Sequence, residues 1–508
     1  KPDDVTAGQH LMNVMNSAWR QFFLAVFTFA CLPYEAFFSL DAIIRSSWRM
    51  SVSHKKLLEW NPSDRRDPND RNTLGGAYRT MWAAPCTALA TMVAILFSEP
   101  ELLPLVMPIL ILWLVAPAIA YQLSRQLVRR REALSAAQVQ FLRRAARKTW
   151  AFFETFVGPE DHWLPPDHYQ ESPLGIVAHR TSPTNIGMLL TSTLVAYDLG
   201  YIDQYALLSR LSATMETLGQ MERYRGHFIN WIDTRTLEAL TPRYVSTVDS
   251  GNLAASLVLM SQTLQALHRS HIIRWNRWQG YLDILGQLDE AAHAVEVKKT
   301  KPVQELSRLL DDVRERVLAA RYDTSKWYGL FQEVRGPVWQ QITGLLSDLV
   351  AAVEGTPSAG SLQRILLVSR QMDQQIKGIE RTVQELVPWV PLLEVPPRLF
   401  AEEGYAADMA HLREALPYSP AISEIRAFTG RAAEIADALE ARVHASGGEG
   451  DAATEALYWL KTLREVMRQA RDQEAILTAS FLNLSNRAEK LVSEMDFRFL
   501  YDRSRHVF

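Results

Sequence analysis

Four short blocks combine aromatic rings with amides, hydroxyls, guanidinium groups and carboxylates, and they follow one another within about ninety residues. They are residues 163–171 (WLPPDHYQE), 179–185 (HRTSPTN), 225–236 (RGHFINWIDTRT) and 243–252 (RYVSTVDSGN). An aromatic ring offers a flat face on which a sugar can stack, and the polar groups beside it can bond the sugar hydroxyls. Polar loops between helices are common places for binding sites. The blocks therefore predict a sugar-binding site.

The composition of the chain argues against several other classes of protein. With 508 residues the chain is long enough for roughly two to four domains. The net charge of −3 gives no support for nucleic-acid binding, which normally needs a basic face. Both cysteines, Cys31 and Cys86, lie in apolar segments, which excludes a disulfide framework and argues against a cysteine-based metal site. Because the chain starts at Lys1 without a signal pattern, we expect a piece of a longer polypeptide.

The first 130 residues predict a membrane region. Residues 102–123 form an apolar run that is long enough to cross a bilayer as a helix, and residues 81–97 reach the lower limit of about 17 residues. A buried hairpin of a soluble protein is the alternative for these two runs. Residues 22–44 could either span the membrane or lie in its interface, since Glu35 and Asp41 interrupt them.

Basic residues on both sides of this predicted hairpin indicate its orientation. Eight lie before the first run: Arg45, Arg49, Lys55, Lys56, Arg65, Arg66, Arg71 and Arg79. Eight follow the second: Arg125, Arg129, Arg130, Arg131, Arg143, Arg144, Arg147 and Lys148. Because cytoplasmic flanks carry the excess of Lys and Arg, both flanks and the remainder of the chain are expected in the cytoplasm.

Helical periodicity dominates the remainder of the chain, which predicts an all-α fold. Residues 133–267 carry the polar blocks between amphipathic helices, and we expect Thr184 or Asn185 to cap one of these helices. Residues 268–489 read as long helical hairpins with solvated charges and no site chemistry, as in an inserted module. From residue 490 the chain becomes polar-aromatic again, so the first domain is expected to resume in residues 490–508.

These blocks, together with residues 57–60 (LLEW) and the closing residues 496–502 (DFRFLYD), resemble the middle of bacterial cyclic β-1,2-glucan synthases. The resemblance implies a large inner-membrane enzyme that carries three activities. A transferase uses UDP-glucose and a divalent metal to extend a linear β-1,2-glucan, a glycoamylase-like (α/α)6 barrel cyclises the glucan by transglycosylation, and a phosphorylase-like part trims it. This chain would supply the last membrane helices and the first part of the barrel, interrupted by the long helical insertion. It would contain no cofactor site of its own.

A retaining transglycosylase needs two carboxylates about 5 Å apart on either side of the scissile bond. The blocks offer Glu171, Asp233 and Asp249, all beside amides and hydroxyls rather than in an apolar pocket that would raise a carboxyl pKa. The resemblance implies that the catalytic glutamates lie beyond Phe508. No residue here is therefore assigned to catalysis or to a metal, and eight are predicted to bind glucan: Tyr169 and Trp231 by stacking, and Arg180, Asn185, Asn230, Asp233, Asp249 and Asn252 by hydrogen bonds.

Simpler roles for these residues stay open. Asp233 and Asp249 could fix loops or helix ends through backbone N–H groups, and Arg180 and Arg225 could pair with those aspartates. Trp231 could belong to the core, and His179 and His227 are more often structural. The whole chain could also be a non-catalytic membrane scaffold that docks partners through residues 268–489. A hydrolase that acts on β-glucan is a further alternative, because hydrolysis and transglycosylation share one intermediate.

Overall fold

The computed structural model describes residues 7–54, 73–124, 134–295, 301–353, 359–445 and 450–501. The chain divides into two compact units, one formed by Lys1–Ala133 with Arg498–Phe508 and the other by Leu134–Phe497. The predicted block at residues 57–60 and the last residues of the chain, 502–508, lie outside the described residues.

The first unit contains apolar helices. They are α1 (Ala7–Trp48), α2 (Leu74–Thr80), α3 (Ala83–Ser98) and α4 (Leu103–Ser124). Helices α1 and α4 are joined by the Trp113 indole N–H, which donates to the Phe29 carbonyl at 3.1 Å. The Tyr78 hydroxyl ties α2 to α4 by donating to the Leu114 carbonyl at 3.2 Å.

By length and composition, two stretches of the described residues can each cross a membrane, namely His10–Ser53 and Pro100–Ser124. The second contains the predicted span 102–123, and the first contains residues 22–44 within one continuous helix. The predicted span 81–97 corresponds to α3. This helix is long and apolar enough to cross a membrane only when it is taken together with α2, and the two helices are bent by 68° relative to each other.

The second unit is a bundle of helices. They are α5 (Ala136–Phe156), α6 (Pro183–Asp198), α7 (Gln204–Gln220), α8 (Thr247–Leu267), α9 (Trp275–His293), α10 (Lys301–Ala319), α11 (Trp327–Glu333), α12 (Trp339–Val353), α13 (Ala359–Leu386), α14 (Trp389–Glu394), α15 (Ala406–Ala415), α16 (Ile425–Ala445) and α17 (Asp451–Glu494). A π-helical turn, Val334–Val338, joins α11 to α12. Three antiparallel strand pairs of two residues each lie in the loops: β1 (Tyr169–Gln170) with β2 (Ile176–Val177), β3 (Arg180–Thr181) with β6 (Ile232–Asp233), and β4 (Arg223–Tyr224) with β5 (His227–Phe228).

Two apolar cores hold this bundle together. The first is shared by α5–α8 and by residues from 383 onward, and it contains Trp150, Leu253, Trp389 and Phe481. The second is built by residues 278–379, from α9 to α13. The later part of the residues predicted as an insertion therefore packs directly on the helices that flank the polar blocks.

The all-α class is confirmed. Over the described ranges the helices do not close into a barrel, so the partial (α/α)6 barrel stays a prediction. The prediction that Thr184 or Asn185 caps a helix is wrong. Ser182 caps α6, because its side-chain oxygen accepts the Asn185 N–H at 3.3 Å, whereas Thr184 and Asn185 lie in the first turn.

Candidate functional site

The polar blocks meet at one end of the bundle, where α6 and α8 begin. Asn252 on α8 donates its side-chain amide to the Thr184 hydroxyl on α6 at 3.0 Å. One turn further along, Gly187 of α6 lies so close to α8 that an added Cβ would be 2.8 Å from the Ser256 hydroxyl. These successive contacts show that the two helices run in the same direction. Their N-termini therefore lie at the same end of the bundle. The partial positive charge and the backbone N–H groups of helix N-termini favour anions and hydrogen-bond acceptors there.

Asp167 is the centre of the first cluster at this end. It accepts from the Arg180 guanidinium at 3.0 Å and from the Asn185 amide at 3.2 Å. His168 also contacts it at 3.1 Å. Burial alone would raise the pKa of Asp167, but the hydrogen bonds from Arg180, Asn185 and His168 outweigh burial and hold that pKa below its usual value.

The Arg180 guanidinium also covers the Trp231 ring, with 4.8 Å from the guanidinium carbon to the ring centroid. Backbone pairing of β3 with β6 fixes this arrangement, because it places Arg180 opposite Asp233, two residues beyond Trp231. Arg180 therefore contacts Asp167 and Trp231. The sequence had left open that it pairs with Asp233 or Asp249, and it pairs with neither. The stacked guanidinium and ring form a flat polar-aromatic surface.

A second network centres on Asn230. The amide orientation that satisfies every neighbour has its nitrogen donating to Asp249 at 3.1 Å, while its oxygen accepts from the Tyr244 hydroxyl at 2.9 Å and the Trp231 indole N–H at 3.2 Å. Asp249 in turn accepts from the Ser246 hydroxyl at 2.5 Å in the first turn of α8. Trp231 contacts Arg180 in the first cluster and Asn230 in the second, so it joins the two clusters.

The loops are anchored beneath these clusters by Asp161, which is only 7% exposed. One of its oxygens accepts from the buried Thr234 hydroxyl at 2.5 Å and lies 2.8 Å from His179 Nδ1. His179 is thus structural in this arrangement, as its sequence context favoured. Because Asp161 lies before the first block and Thr234 lies in the third, this network sets the spacing between them.

The remaining predicted residues lie nearby with other contacts. Tyr169, at 38% exposure, packs its ring against Phe156 with 4.8 Å between centroids. Asp233 accepts from the backbone N–H groups of Arg235 and Thr236 at 2.8 and 3.0 Å. Burial alone would raise the Asp233 pKa, but these bonds lower it below its usual value. Asp233 thus fixes its own loop, which is the simpler of the two roles left open for it.

The closing block reaches the same loops. The Asp496 N–H donates to the Arg225 carbonyl at 3.1 Å, and Phe497 meets His227 edge to face at 4.8 Å. Arg225 lies 3.9 Å from the Asp496 carboxylate, so its acidic neighbour is neither of the two aspartates expected from the sequence. The return of residues 494–497 to the 223–228 hairpin explains why polar-aromatic composition recurs there.

Sequence reasoning missed three residues of the site: Asp161, Asp167 and Tyr244. Asp167 stands inside a quoted block, and the need of Arg180 for a nearby acid was the signal that could have identified it. Asp161 precedes the blocks in a short 3-10 turn, Pro159–Asp161, and nothing local marks it. Among the described residues no three His, Cys, Asp or Glu side chains lie together as a metal site requires.

This geometry can bind and orient a ligand, and the carboxylates here act as hydrogen-bond acceptors for the protein's own donors. Together with apolar helices long enough to cross a bilayer, it describes a membrane-associated helical protein with a polar-aromatic site at one end of its bundle.

No protein-family model matches the chain. The chain is similar to the cyclic beta-(1,2)-glucan synthase NdvB of Rhizobium meliloti (strain 1021), with 35% identity over 61% of this chain. The resemblance expected from the sequence is confirmed. The chain spans only 11% of the length of that relative.

Proposed function

We propose that this chain is part of a membrane-bound cyclic β-1,2-glucan synthase, a glycosyltransferase that also cyclises its product by transglycosylation. The observation that carries the proposal is the 35% identity to a cyclic glucan synthase. The polar-aromatic blocks also support it, because they come together at one end of the helical unit.

In this proposal the loop end of α6 and α8 forms one wall of the glucan-binding cleft of the cyclising domain. Trp231, with Arg180 stacked on it, offers a face for a glucose ring. Asn185 in the first turn of α6 and Asn252 in the second turn of α8 present amides, and Asn230 and Asp249 form a neighbouring pair of hydroxyl partners. Linear β-1,2-glucan has many hydroxyls per ring, and convergent amides and carboxylates match that pattern.

The catalytic carboxylates are assigned to a part of the enzyme beyond this chain, so the isolated chain is inactive in this proposal. UDP-glucose and a divalent metal belong to the transferase part of the same polypeptide, and a phosphorylase-like part follows. The apolar helices anchor the enzyme in the bacterial inner membrane. In this proposal the helical unit lies in the cytoplasm, and the Lys and Arg residues on both flanks of the apolar helices support that orientation.

The experiment supplies the purified full-length polypeptide with linear β-1,2-glucan. Cyclic product is expected. Release of new reducing ends without cyclic product would instead assign a hydrolase, and the absence of both turnover and binding would favour a non-catalytic scaffold.

Asp249→Asn in that full-length enzyme tests the wall. We expect kcat/KM for cyclisation to fall by about tenfold or more, because a charged acceptor that orders Asn230 and Ser246 is lost, and such bonds contribute about 1.5–3 kcal/mol. Asp198→Asn is the matched control, since Asp198 is exposed at the opposite end of α6. Unchanged cyclisation by a folded Asp249→Asn enzyme would remove Asp249 from the site.

A further inference from the structure

A polar cavity of about 400 Å³ opens between α5, α7, α9 and α13. None of the eight residues predicted to bind glucan lines it. Its charged and amide lining includes Glu154, Asp203, Arg210, Arg277, Gln375 and Arg381. Its volume falls within the roughly 300–1,000 Å³ range of small-molecule sites.

Both acids of the lining already have cationic partners. Glu154 accepts from Arg147 at 2.8 Å, and Asp203 accepts from Arg381 at 2.6 Å. Gly378 allows the second pair to form, because an added Cβ there would be 2.5 Å from an Asp203 carboxylate oxygen. The positive charge of the other lining residues is therefore left in excess.

Arg210 and Arg277 carry that excess. The Arg210 guanidinium lies over the Trp150 ring at 5.3 Å, and its Nη1 is buried without a hydrogen-bond partner among the described residues. Arg277 is only 6% exposed, and one of its guanidinium nitrogens donates to the neutral Gln204 amide oxygen at 3.2 Å. A buried cationic donor without an acceptor costs free energy, so a site that retains one gains when an anion enters.

The side chains of the lining indicate which anion fits. Guanidinium groups match the oxygens of a phosphate group with two parallel hydrogen bonds. Gln371, Gln374 and Gln375 lie on α13 along the cavity. Gln371 donates its amide nitrogen to Glu154 at 2.7 Å and Gln375 donates to the Gly200 carbonyl at 2.8 Å. These bonds fix the two side chains, whose amide oxygens can accept from ligand hydroxyl groups. A bare phosphate ion would occupy only part of the volume.

We propose that this cavity binds a small phosphate-bearing ligand with hydroxyl groups, held by Arg210 and Arg277 at its phosphate and by the α13 glutamines at its hydroxyls. A soluble phosphorylated sugar and the headgroup of a phosphoglycerol lipid share this chemistry. The site is independent of the glucan-binding proposal, since it uses different helices and different residues.

The test titrates the whole chain in detergent with inorganic phosphate, glucose 6-phosphate, short-chain phosphatidylglycerol and, as the neutral control, glucose. Saturable binding by calorimetry and a rise in the unfolding temperature are expected for at least one phosphate probe and not for glucose. Glucose 6-phosphate as the tightest probe identifies a soluble ligand, and phosphatidylglycerol as the tightest identifies a lipid headgroup.

Two variants of cavity residues test whether that binding takes place in the cavity. Arg210→Gln is expected to weaken it at least tenfold, and Lys377→Gln at the cavity rim is expected to weaken it about twofold to fivefold without endangering the fold, because its side chain is 69% exposed. Arg468→Gln on the exposed face of α17 is the matched control. Absence of binding by every phosphate probe, or binding that both cavity variants leave intact, would overturn the proposal.

Discussion

The helical unit contains two polar regions that differ in whether their buried polar groups have partners within the protein. At the loop end, Asp167, Asn230 and Asp249 each bond to protein groups on a different loop or helix. In the cavity between α5, α7, α9 and α13, Arg210 keeps a buried donor that no described residue satisfies. The first arrangement builds a surface of fixed shape, and the second retains the capacity to bind an anion.

The difference follows from what each region has to stabilise. Loops lack backbone pairing of their own, so side-chain networks must hold them, and a satisfied network is rigid. Helices satisfy their own backbone, so their side chains are not needed for this purpose. A dense polar pattern in a sequence therefore indicates structure and binding together, and the partner list of each group separates the two.

Removal of the Asp161 side chain tests whether the loop end depends on its network. Asp161→Ala leaves the fully buried Thr234 hydroxyl and the neighbouring His179 without their acceptor. We expect the free energy of unfolding to fall by about 2–3 kcal/mol, because an unsatisfied buried group retains its full desolvation cost. Denaturant unfolding followed by tryptophan fluorescence measures the change.

Glu222→Ala is the control for this variant, because Glu222 forms an ion pair with Arg243 in which both side chains are about half exposed. Its cost should stay below about 0.5 kcal/mol. If Asp161→Ala cost no more than Glu222→Ala, the loop end would not depend on its buried network and the comparison would fail.

The close approach of α6 and α8 sets the position of the same surface, and Gly187→Ala tests it. The new methyl group would meet the Ser256 hydroxyl at 2.8 Å and the Asn252 carbonyl at 3.3 Å. We expect a loss of about 1–2 kcal/mol, since overpacking forces the helices apart. Ser256→Ala in the same chain should restore part of it, which a double-mutant cycle measures.

Gly251→Ala supplies the matched comparison, because nothing lies within 4 Å of an added Cβ at that position on α8. It should stabilise the chain by up to about 1 kcal/mol through helix propensity. Equal effects of the two substitutions would show that the approach of the helices does not constrain the site.

Periodicity and composition could predict the all-α class and the apolar spans, because each depends on neighbours in sequence. The blocks of the site were predictable for the same reason, since ring, amide and carboxylate stand close together along the chain. The cap of α6 was missed because Ser182, Thr184 and Asn185 all qualify by residue type, and Pro183 after Ser182 decides between them by occupying the first helical position.

Pairings over long distances could not be predicted. Asp167 meets Arg180 only because a β-hairpin of two-residue strands folds back between them. The cavity was invisible in the sequence because Glu154, Arg210, Arg277 and Arg381 come from four separate helices. The shared core of α8 and α17 is likewise a tertiary result, since the polar contact of Ser261 with Ser485 joins segments 224 residues apart.

The smallest expected effect is a pH dependence that sharpens the assignment of Asp167. Its pKa is lower in the folded chain than the ordinary value of 3.8, since donors from Arg180, Asn185 and His168 outweigh burial. The unfolded state therefore binds the proton more tightly, and the stabilisation by Asp167 is present above about pH 4 and disappears as the pH falls through the folded pKa. Asp167→Asn should lower the free energy of unfolding by about 1 kcal/mol near pH 7, and this difference from the unmodified chain should shrink towards zero as the pH falls through the folded pKa. Unfolding of both chains across that range measures the difference. A constant difference would mean that Asp167 acts through shape alone, whereas a shrinking one shows that its negative charge holds Arg180 over Trp231.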